Sequence, residues 1–339
     1  MNKSNYINCL PGVPFVESPF FDELFDRADP RYEIAVSLHM NGFAVLDFPE
    51  PHLNEMIERI KRDLYEDYDW VEWDQGKKAD MRMMDAWKKN SDVRQIAKNS
   101  EIQDLVSYLY GRRAFPFQTL NFPVGTQQHY HSDSAHFSSL PERFMCGVWL
   151  AMEDVGPDQG PLVYYPGSHK WPIYTRQHIG KRYIPENGRH QSVFEPLWER
   201  LVEAHGVEPV RFHPKKGQAL IWAANLLHGG DYHKDRTLTR WSQVTHYYFD
   251  DCVYYTPLAS NEPEGELFRR DPIDIITGLS RPSSYLGDKI DTENLTEHGI
   301  PVTGFDEQRY LRLNPDVALA GIDAWEHFNK FGRAECRPW

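Results

Sequence analysis

The feature that most limits the fold is a change of periodicity near residue 111. Before it, apolar residues recur at helical intervals. "HLNEMIERIKRDLYEDY" carries Leu53, Met56, Ile57, Ile60 and Leu64 at i, i+3, i+4, i+7 and i+11, which predicts an amphipathic helix. "PRYEIAVSLHMNGFAVLDFPE" predicts a helix with Ile34, Ala35, Leu38 and His39 on one face, a stop at Asn41-Gly42, and a short strand at "FAVLDF". "SEIQDLVSYLYG" predicts a further helix closed by Gly111 as C-cap. Beyond Gly111 the runs shorten and change character. "RAFPFQTLNFPVG", "FMCGVWLAMEDV", "GPLVYYPGS", "PVRFHPKKG", "QALIWAANLLHGG" and "TRWSQVTHYYFDD" are rich in Val, Phe, Trp and Tyr and punctuated by Gly, Pro and Asp. Many short strands with turn residues between them predict an antiparallel sandwich or barrel.

The expected organisation is a mainly β protein with flanking helices. A helical region at 1–110 packs on a β core at 111–260. The core is interrupted at 170–206 by a partly helical excursion ("SVFEPLWERLVEAHG"), long enough to act as a lid. Residues 261–302 are rich in Pro, Gly and Ser and predict irregular chain covering the core. Residues 303–339 predict a small helical unit with Tyr310, Leu311, Leu313, Val317, Trp325, Phe328 and Phe331 as its core, too small to be stable without docking on something.

Charge and cysteine usage narrow the function classes. The net charge of −13, from 37 basic and 50 acidic side chains, repels nucleic acid and anionic lipid. The start, "MNKSNYINCLPGVPF", lacks the apolar run of a signal peptide, and no window approaches the roughly 18 apolar residues of a membrane span. Cys9, Cys146, Cys252 and Cys336 are scattered without a Cys-x-x-Cys pair, which predicts reduced thiols and a cytoplasmic setting.

"TQQHYHSDSAHF", residues 126–137, is the densest polar cluster that points to chemistry. His131 and Asp133 are two apart, so on a strand both side chains project to one face and can chelate one cation. The third ligand must come from elsewhere. His213, His233 and His246 compete on composition, but His228 alone combines a predicted strand end, a following Gly-Gly and an arginine twelve positions on. Two histidines and a carboxylate with open positions are the donor set of non-haem Fe(II) oxygen chemistry. Arg240, with Ser242 on the same strand face, offers a guanidinium fork and a hydroxyl for a terminal carboxylate.

With these residues in view, the chain resembles the phytanoyl-CoA dioxygenase family of Fe(II)- and 2-oxoglutarate-dependent oxygenases. The resemblance spans roughly residues 33–250, through "NGFAVLDF", "LNFPVGTQQHYHSD", "GVWLAMEDVGPDQGPLVYYPGSHKWP" and "KKGQALIWAANLLHGG…TRWSQVTHYYF". It implies a double-stranded β-helix, or jelly roll, preceded by helices. It implies Fe(II) held by His131, Asp133 and His228, 2-oxoglutarate and O2 as cosubstrates, and Arg240 with Ser242 on the distal carboxylate of 2-oxoglutarate. It places Trp149 along the cosubstrate pocket and gives Gln118 or Asn121 as hydrogen-bond donors to it. Family halogenases carry a small residue where this chain has Asp133, so the resemblance implies hydroxylation of an unactivated C–H with release of succinate and CO2. Desaturation, epimerisation or ring closure by the same cofactors, or a non-catalytic metal- or ligand-binding jelly roll, stand as alternatives.

Other side chains carry further expectations. His129 is read as orienting a ligand or facing substrate, His136 and Phe137 as facing substrate. Lys170, Arg176, Lys181, Arg182 and Arg189, against Glu186, make the excursion basic within an acidic chain. That suits either a lid drawing in an anionic small molecule or a solvated loop. The terminal "YL…NPDV…AG…HF…FG…E…RP" spacing resembles a module appended to bacterial proteins, glycosyltransferases among them, which implies a bacterial source and a docking or self-association role.

Overall fold

The computed structural model describes residues 10, 12–180, 190–290, 307–332, 335 and 337. Its strands are β1 (Phe43–Asp47), β2 (Met83–Met84), β3 (Ala114–Phe122), β4 (Ser138–Leu140), β5 (Met145–Ala151) and β6 (Leu162–Tyr164), then β7 (Val210–Phe212), β8 (Gln218–Ala223), β9 (His228–Gly230), β10 (Ser242–Phe249) and β11 (Val253–Tyr255). A six-stranded antiparallel sheet runs in the order β1-β8-β5-β10-β3-β2, so the helical region supplies both of its edges. A three-stranded sheet, β7-β6-β9, and the β4–β11 pair complete the β core. Two antiparallel sheets face to face, with helices outside, make the core a jelly roll.

Strand alternation separates two interiors. On β10, Ser242, Val244 and His246 lie opposite Phe122, Leu120 and Gln118 of β3. That face meets the small sheet across a core of Phe122, Trp149, Leu162, Tyr164, Phe212 and Trp222. Gln243 and Tyr247 point the other way, donating to the carbonyls of Val93 and Ala97 on the Ser91–Ala97 helix. All of β10 is buried, and a strand covered on both faces has no hydrophobic-polar alternation to read.

The helices form where periodicity and caps agree. The Leu53–Leu64 helix buries Leu53, Met56, Ile57, Ile60 and Leu64, the stripe its spacing predicts. The Tyr32–Asn41 and Ser100–Tyr110 helices end on Gly42 (φ 83°) and Gly111 (φ 73°), left-handed caps that favour glycine. In the excursion the helix begins at Glu195 rather than Ser192 and runs to His205, with Phe194 and Trp198 buried against Tyr165, Trp171 and Leu227. Lys181, Arg182, Glu186 and Arg189 lie outside the described residues, as do Cys9 and Cys336. Residues 261–290 are irregular, apart from a 3-10 turn at Glu262–Glu264 and a hairpin of Ser284–Tyr285 with Asp288–Lys289.

In the terminal unit Tyr310, Val317, Ala324 and Phe328 form the core, with Leu311 and Trp325 packed on it. Leu313 and Phe331, expected in that core, are 45% and 51% exposed. The first helix ends at Leu313, where the chain turns at Asn314. Phe331 sits in a π-helical turn, whose wider winding takes a residue three positions after Phe328 off the buried face.

Candidate active site

The residues expected to ligate a metal converge through backbone pairing. His131 and His228 are directly opposed, each donating its N–H to the other's carbonyl, at 2.8 and 3.0 Å. Residues opposed on antiparallel strands project to the same face, so both imidazoles emerge together, ring centroids 4.6 Å apart. The sequence reading placed His228 at the end of the "ALIWAANLLH" strand with a flexible Gly-Gly after it. The structure differs: β8 stops at Ala223, and His228 opens β9 in the other sheet. The glycines belong to that strand. A Cβ on Gly229 would lie 2.7 Å from the Gln128 carbonyl oxygen, and one on Gly230 would meet Thr126 Oγ1. Their lack of side chains lets the His131 segment lie against β9.

Asp133 reaches the pair by a different route from the one expected. It does not share a strand with His131 but opens a 3-10 turn over Asp133–Ala135, started by Ser132, whose Oγ accepts from Ser134 N–H. Ser134 N–H donates to Ala224 O, holding the turn to the end of β8. The carboxylate then faces back, with Oδ1 3.6 Å from His131 Nε2 and Oδ2 3.7 Å from His228 Nε2. The ligand atoms of His131, Asp133 and His228 all lie within 4.8 Å of one another, and all three residues are buried.

Protonation suits a cation. His131 Nδ1 lies 3.0 Å from His129 O and His228 Nδ1 3.0 Å from Leu226 O. A carbonyl only accepts, so each Nδ1 carries a proton and Nε2 is the ring atom turned toward Asp133. Burial pushes the His228 imidazole down to about 4. Burial works to raise the Asp133 carboxyl, but the surrounding histidines outweigh it and hold the group well below the ordinary carboxylate range. An ionised carboxylate beside imidazole Nε2 atoms is the donor arrangement a divalent cation takes.

A fourth side chain belongs here. His246 is buried, with Nε2 3.7 Å from Asp133 Oδ2 and Nδ1 3.0 Å from Gln118 Oε1. A period-two reading of β10 from Ser242 leads to it, and only its competition with His228 as a ligand hid that signal. Gln118 therefore contacts His246, not the Arg240 end of the strand. Asn121, the other expected cosubstrate donor, faces away. It pairs with Gln243, to which its amide donates at 3.3 Å, beneath the helices, because residues 118 and 121 fall on opposite faces of β3.

Arg240 lies two residues before β10 and is 2% exposed. Its Nη2 donates to Val124 O at 3.2 Å, and its Nε has no partner. Among the described residues no carboxylate comes within ion-pair distance of it. Burial pushes the guanidinium down to about 10. Ser242, fully buried, has a hydroxyl without a partner, and the Trp149 ring lies 5.5 Å from the guanidinium carbon. A buried cation and an orphaned hydroxyl are costly without a counter-group, and a carboxylate is the group that satisfies both.

The remaining expected residues ring the cluster. His129 has Nδ1 2.8 Å from Tyr130 O and Nε2 3.1 Å from Glu199 Oε1 of the excursion helix, both oxygens being acceptors. His136 sits 5.7 Å from the His131 ring with Nε2 3.2 Å from Gln191 Oε1, and burial pushes it down to about 4. Phe137 packs 5.1 Å from His246. Gln191 also accepts from Gln128, so the excursion is tied to the metal loop at several points. Arg176, 5% exposed, donates to Leu258 O and is a buried anchor, not part of a solvated basic face.

The comparisons with known proteins follow the same lines. The family model described as "Phytanoyl-CoA dioxygenase (PhyH)" matches residues 39–234, more than half of the chain. The chain belongs to the phytanoyl-CoA dioxygenase family. That family is Fe(II)- and 2-oxoglutarate-dependent. The peroxisomal phytanoyl-CoA dioxygenase of Rattus norvegicus is 24% identical over 160 residues, which cover 44% of this chain and 41% of that one. The chain thus spans less than half the length of this curated relative. Among solved structures, EctD from S. alaskensis with 2-oxoglutarate and 5-hydroxyectoine matches at 16% identity and TM-score 0.53, covering 82% of this chain and 92% of that one. The α-ketoglutarate-dependent carbocyclase SnoK from nogalamycin biosynthesis matches at 15% identity and TM-score 0.53, covering 66% and 85%. The epimerase SnoN from the same biosynthesis matches at 17% and TM-score 0.51, covering 82% and 98%. At such identities the likeness speaks for the fold. The family match contains His131, Asp133, Trp149 and His228 and ends before Arg240, Ser242 and His246.

Proposed function

We propose that the chain is a 2-oxoglutarate-dependent oxygenase that hydroxylates an unactivated C–H of a small molecule, with iron held by His131, Asp133 and His228. The reading rests on Arg240. A His-carboxylate-His cluster alone would suit several divalent metals. A buried guanidinium with no acid at ion-pair distance among the described residues, with the Ser242 hydroxyl two residues on and Trp149 alongside, calls for a small dicarboxylate in the same inter-sheet space. The chemistry such a metal and cosubstrate supply is oxidative: 2-oxoglutarate is decarboxylated to succinate and CO2, and one atom of O2 goes to the substrate C–H.

The chain's own residues contribute binding, orientation and dryness. The Nδ1–H groups of His131 and His228 are held by carbonyls, which would leave both Nε2 atoms to hold the cation. Trp222 Nε1–H donates to Asp133 Oδ2 at 2.8 Å and fixes the carboxylate plane. Arg240 and Ser242 orient the distal end of the diacid. Trp149, Phe122 and Val244 exclude water from the pocket between the sheets. Asp133 keeps its coordination position filled, which favours hydroxylation over halogen transfer.

Two finer readings accompany this one. Cys146 and Cys252 are free, buried thiols, in keeping with a reducing cytoplasm, and among the described residues no helix is long and apolar enough to cross a membrane. The terminal helices, with Leu319 89% exposed, serve as a docking or self-association appendage.

The test is succinate formation with a metabolite extract, with and without Fe(II) and 2-oxoglutarate, under 18O2. Fe(II)-dependent succinate, a product heavier by one labelled oxygen, and loss of both in H131A and R240Q are expected. A product lighter by two hydrogens or unchanged in mass would replace hydroxylation by desaturation or epimerisation. No succinate from metal-loaded protein that binds 2-oxoglutarate would leave a ligand-binding jelly roll.

A further inference from the structure

We propose that Arg270 is a substrate-recognition residue and that the substrate carries an anionic group, a carboxylate, phosphate or sulfate ester, near the carbon that reacts. The inference rests on the oxygenase reading and concerns a residue beyond the family-matched segment.

Its position is set by backbone pairing. β4 follows the metal loop directly, with Ser138 next to Phe137, and β11 pairs with β4. Residues 268–270 then add to β11: Thr256 N–H donates to Phe268 O, and Arg270 N–H donates to Tyr254 O, both at 2.9 Å. Phe268 and Arg270 alternate with Arg269, so Arg270 shares a face with Thr256, whose Oγ1 accepts from its Nη1 at 3.2 Å. The irregular covering segment thus delivers one cation to the edge of the metal loop.

The surroundings of that cation are aromatic. Its guanidinium carbon stands 4.8 Å from the centre of the Phe137 ring and 5.9 Å from Phe117. Phe137 N–H donates to Asp133 O at 2.7 Å, its ring packs 5.1 Å from His246, and His246 Nε2 is 3.7 Å from Asp133 Oδ2. Arg270 is therefore separated from the ligand carboxylate by these two rings.

What it lacks is an acid. Three other half-buried arginines are matched, Arg143 to Glu17, Arg281 to Asp250, and Arg236 to the carbonyls of Trp73 and Lys78, whereas the adjacent Arg269 shares the lack, with its Nε and Nη1 also without partners. Among the described residues Arg270 has no carboxylate within ion-pair distance, and its Nε is buried without a partner. The donor in use is on Nη1, so the edge formed by Nε and Nη2 is uncommitted. That edge presents two parallel N–H groups, the arrangement that takes a carboxylate or phosphate bidentately. In a chain of net charge −13, an uncommitted cation beside an oxidising centre selects anions and turns away neutral and cationic molecules.

The experiment uses the full chain loaded with Fe(II) and 2-oxoglutarate under argon, titrated calorimetrically with phenylacetate, phenyl phosphate, phenyl sulfate and the neutral phenylacetamide. At least one anion is expected to bind about ten- to hundredfold more tightly than the amide. R270Q is expected to abolish that preference and R270K to keep part of it. Which anion is preferred distinguishes the three sources. Equal binding of anions and amide, or a preference unchanged in R270Q, overturns the proposal. Binding of 2-oxoglutarate is measured separately in each variant. If R270Q loses it, Arg270 belongs to the cosubstrate pocket and the proposal fails. If the parent chain does not bind 2-oxoglutarate, the oxygenase reading fails first, on its own evidence.

Discussion

The indole Nε1 of Trp222 donates a 2.8 Å hydrogen bond to Oδ2 of Asp133, joining the large sheet to the metal loop. Both residues are nearly solvent-free, and the Trp222 ring also lies 4.7 Å from that of His228. In so dry a setting a hydrogen bond to an anion is strong, and this one decides which carboxylate oxygen faces each imidazole.

Trp222→Phe removes the donor and keeps an aromatic ring. Affinity for Co(II) or Mn(II) is expected to fall about 10- to 100-fold, with the fold intact by circular dichroism. Asp133→Ala should abolish site-specific binding. Parent-like metal affinity in W222F would reduce the indole to packing.

Gly147→Ala tests the same contact from the other side. A Cβ on Gly147 would lie 2.3 Å from the Trp222 ring and 2.8 Å from its Nε1. The indole must move off Asp133, so metal affinity should fall along with stability, the latter by about 1–3 kcal/mol. Combined with W222F, which takes away the clashing atoms, the two losses should be clearly less than additive in urea unfolding.

Arg240→Lys keeps a positive charge and discards the fork. Binding of 2-oxoglutarate should weaken about 10- to 100-fold, while metal affinity measured without it stays put. Ser242→Ala should cost about tenfold or less, as a single neutral donor does. Calorimetry on the two variants separates the roles.

Acid should destabilise the protein through His169. This side chain is 1% exposed, its Nε2–H donates to His39 O at 3.1 Å, and burial holds the imidazole at about 4. The unfolded chain binds the proton at about 6.5, more readily than the folded one. The stability linked to this group is therefore complete above about pH 6.5 and is lost as pH falls toward 4, on the order of 3 kcal/mol in all. Melting curves across that window should show a shallower decline for His169→Gln than for the parent.

The divide between what could and could not be read follows the range of the interactions. The stripe of Leu53, Met56, Ile57, Ile60 and Leu64, the stops at Gly42 and Gly111 and the turn-punctuated strands are local matters of spacing and backbone freedom, and residue order alone settled them. So did the donor types: two imidazoles, a carboxylate and a later guanidinium are visible in the linear chain. The rest depended on which backbone segments pair. His131 meets His228 through reciprocal bonds across 97 positions, and Asp133 arrives by a turn, not by strand alternation. Strand alternation puts Asn121 on the helix-covered face and His246 on the inter-sheet face, and because β3 and β10 are covered on both faces no polarity pattern tells those faces apart. Arg270 came to the metal loop only when residues 268–270 were added beside β11. Short-range periodicity is written into composition and order; the meeting of distant strands is decided by the joint burial of two sheets, which no single stretch of the chain contains.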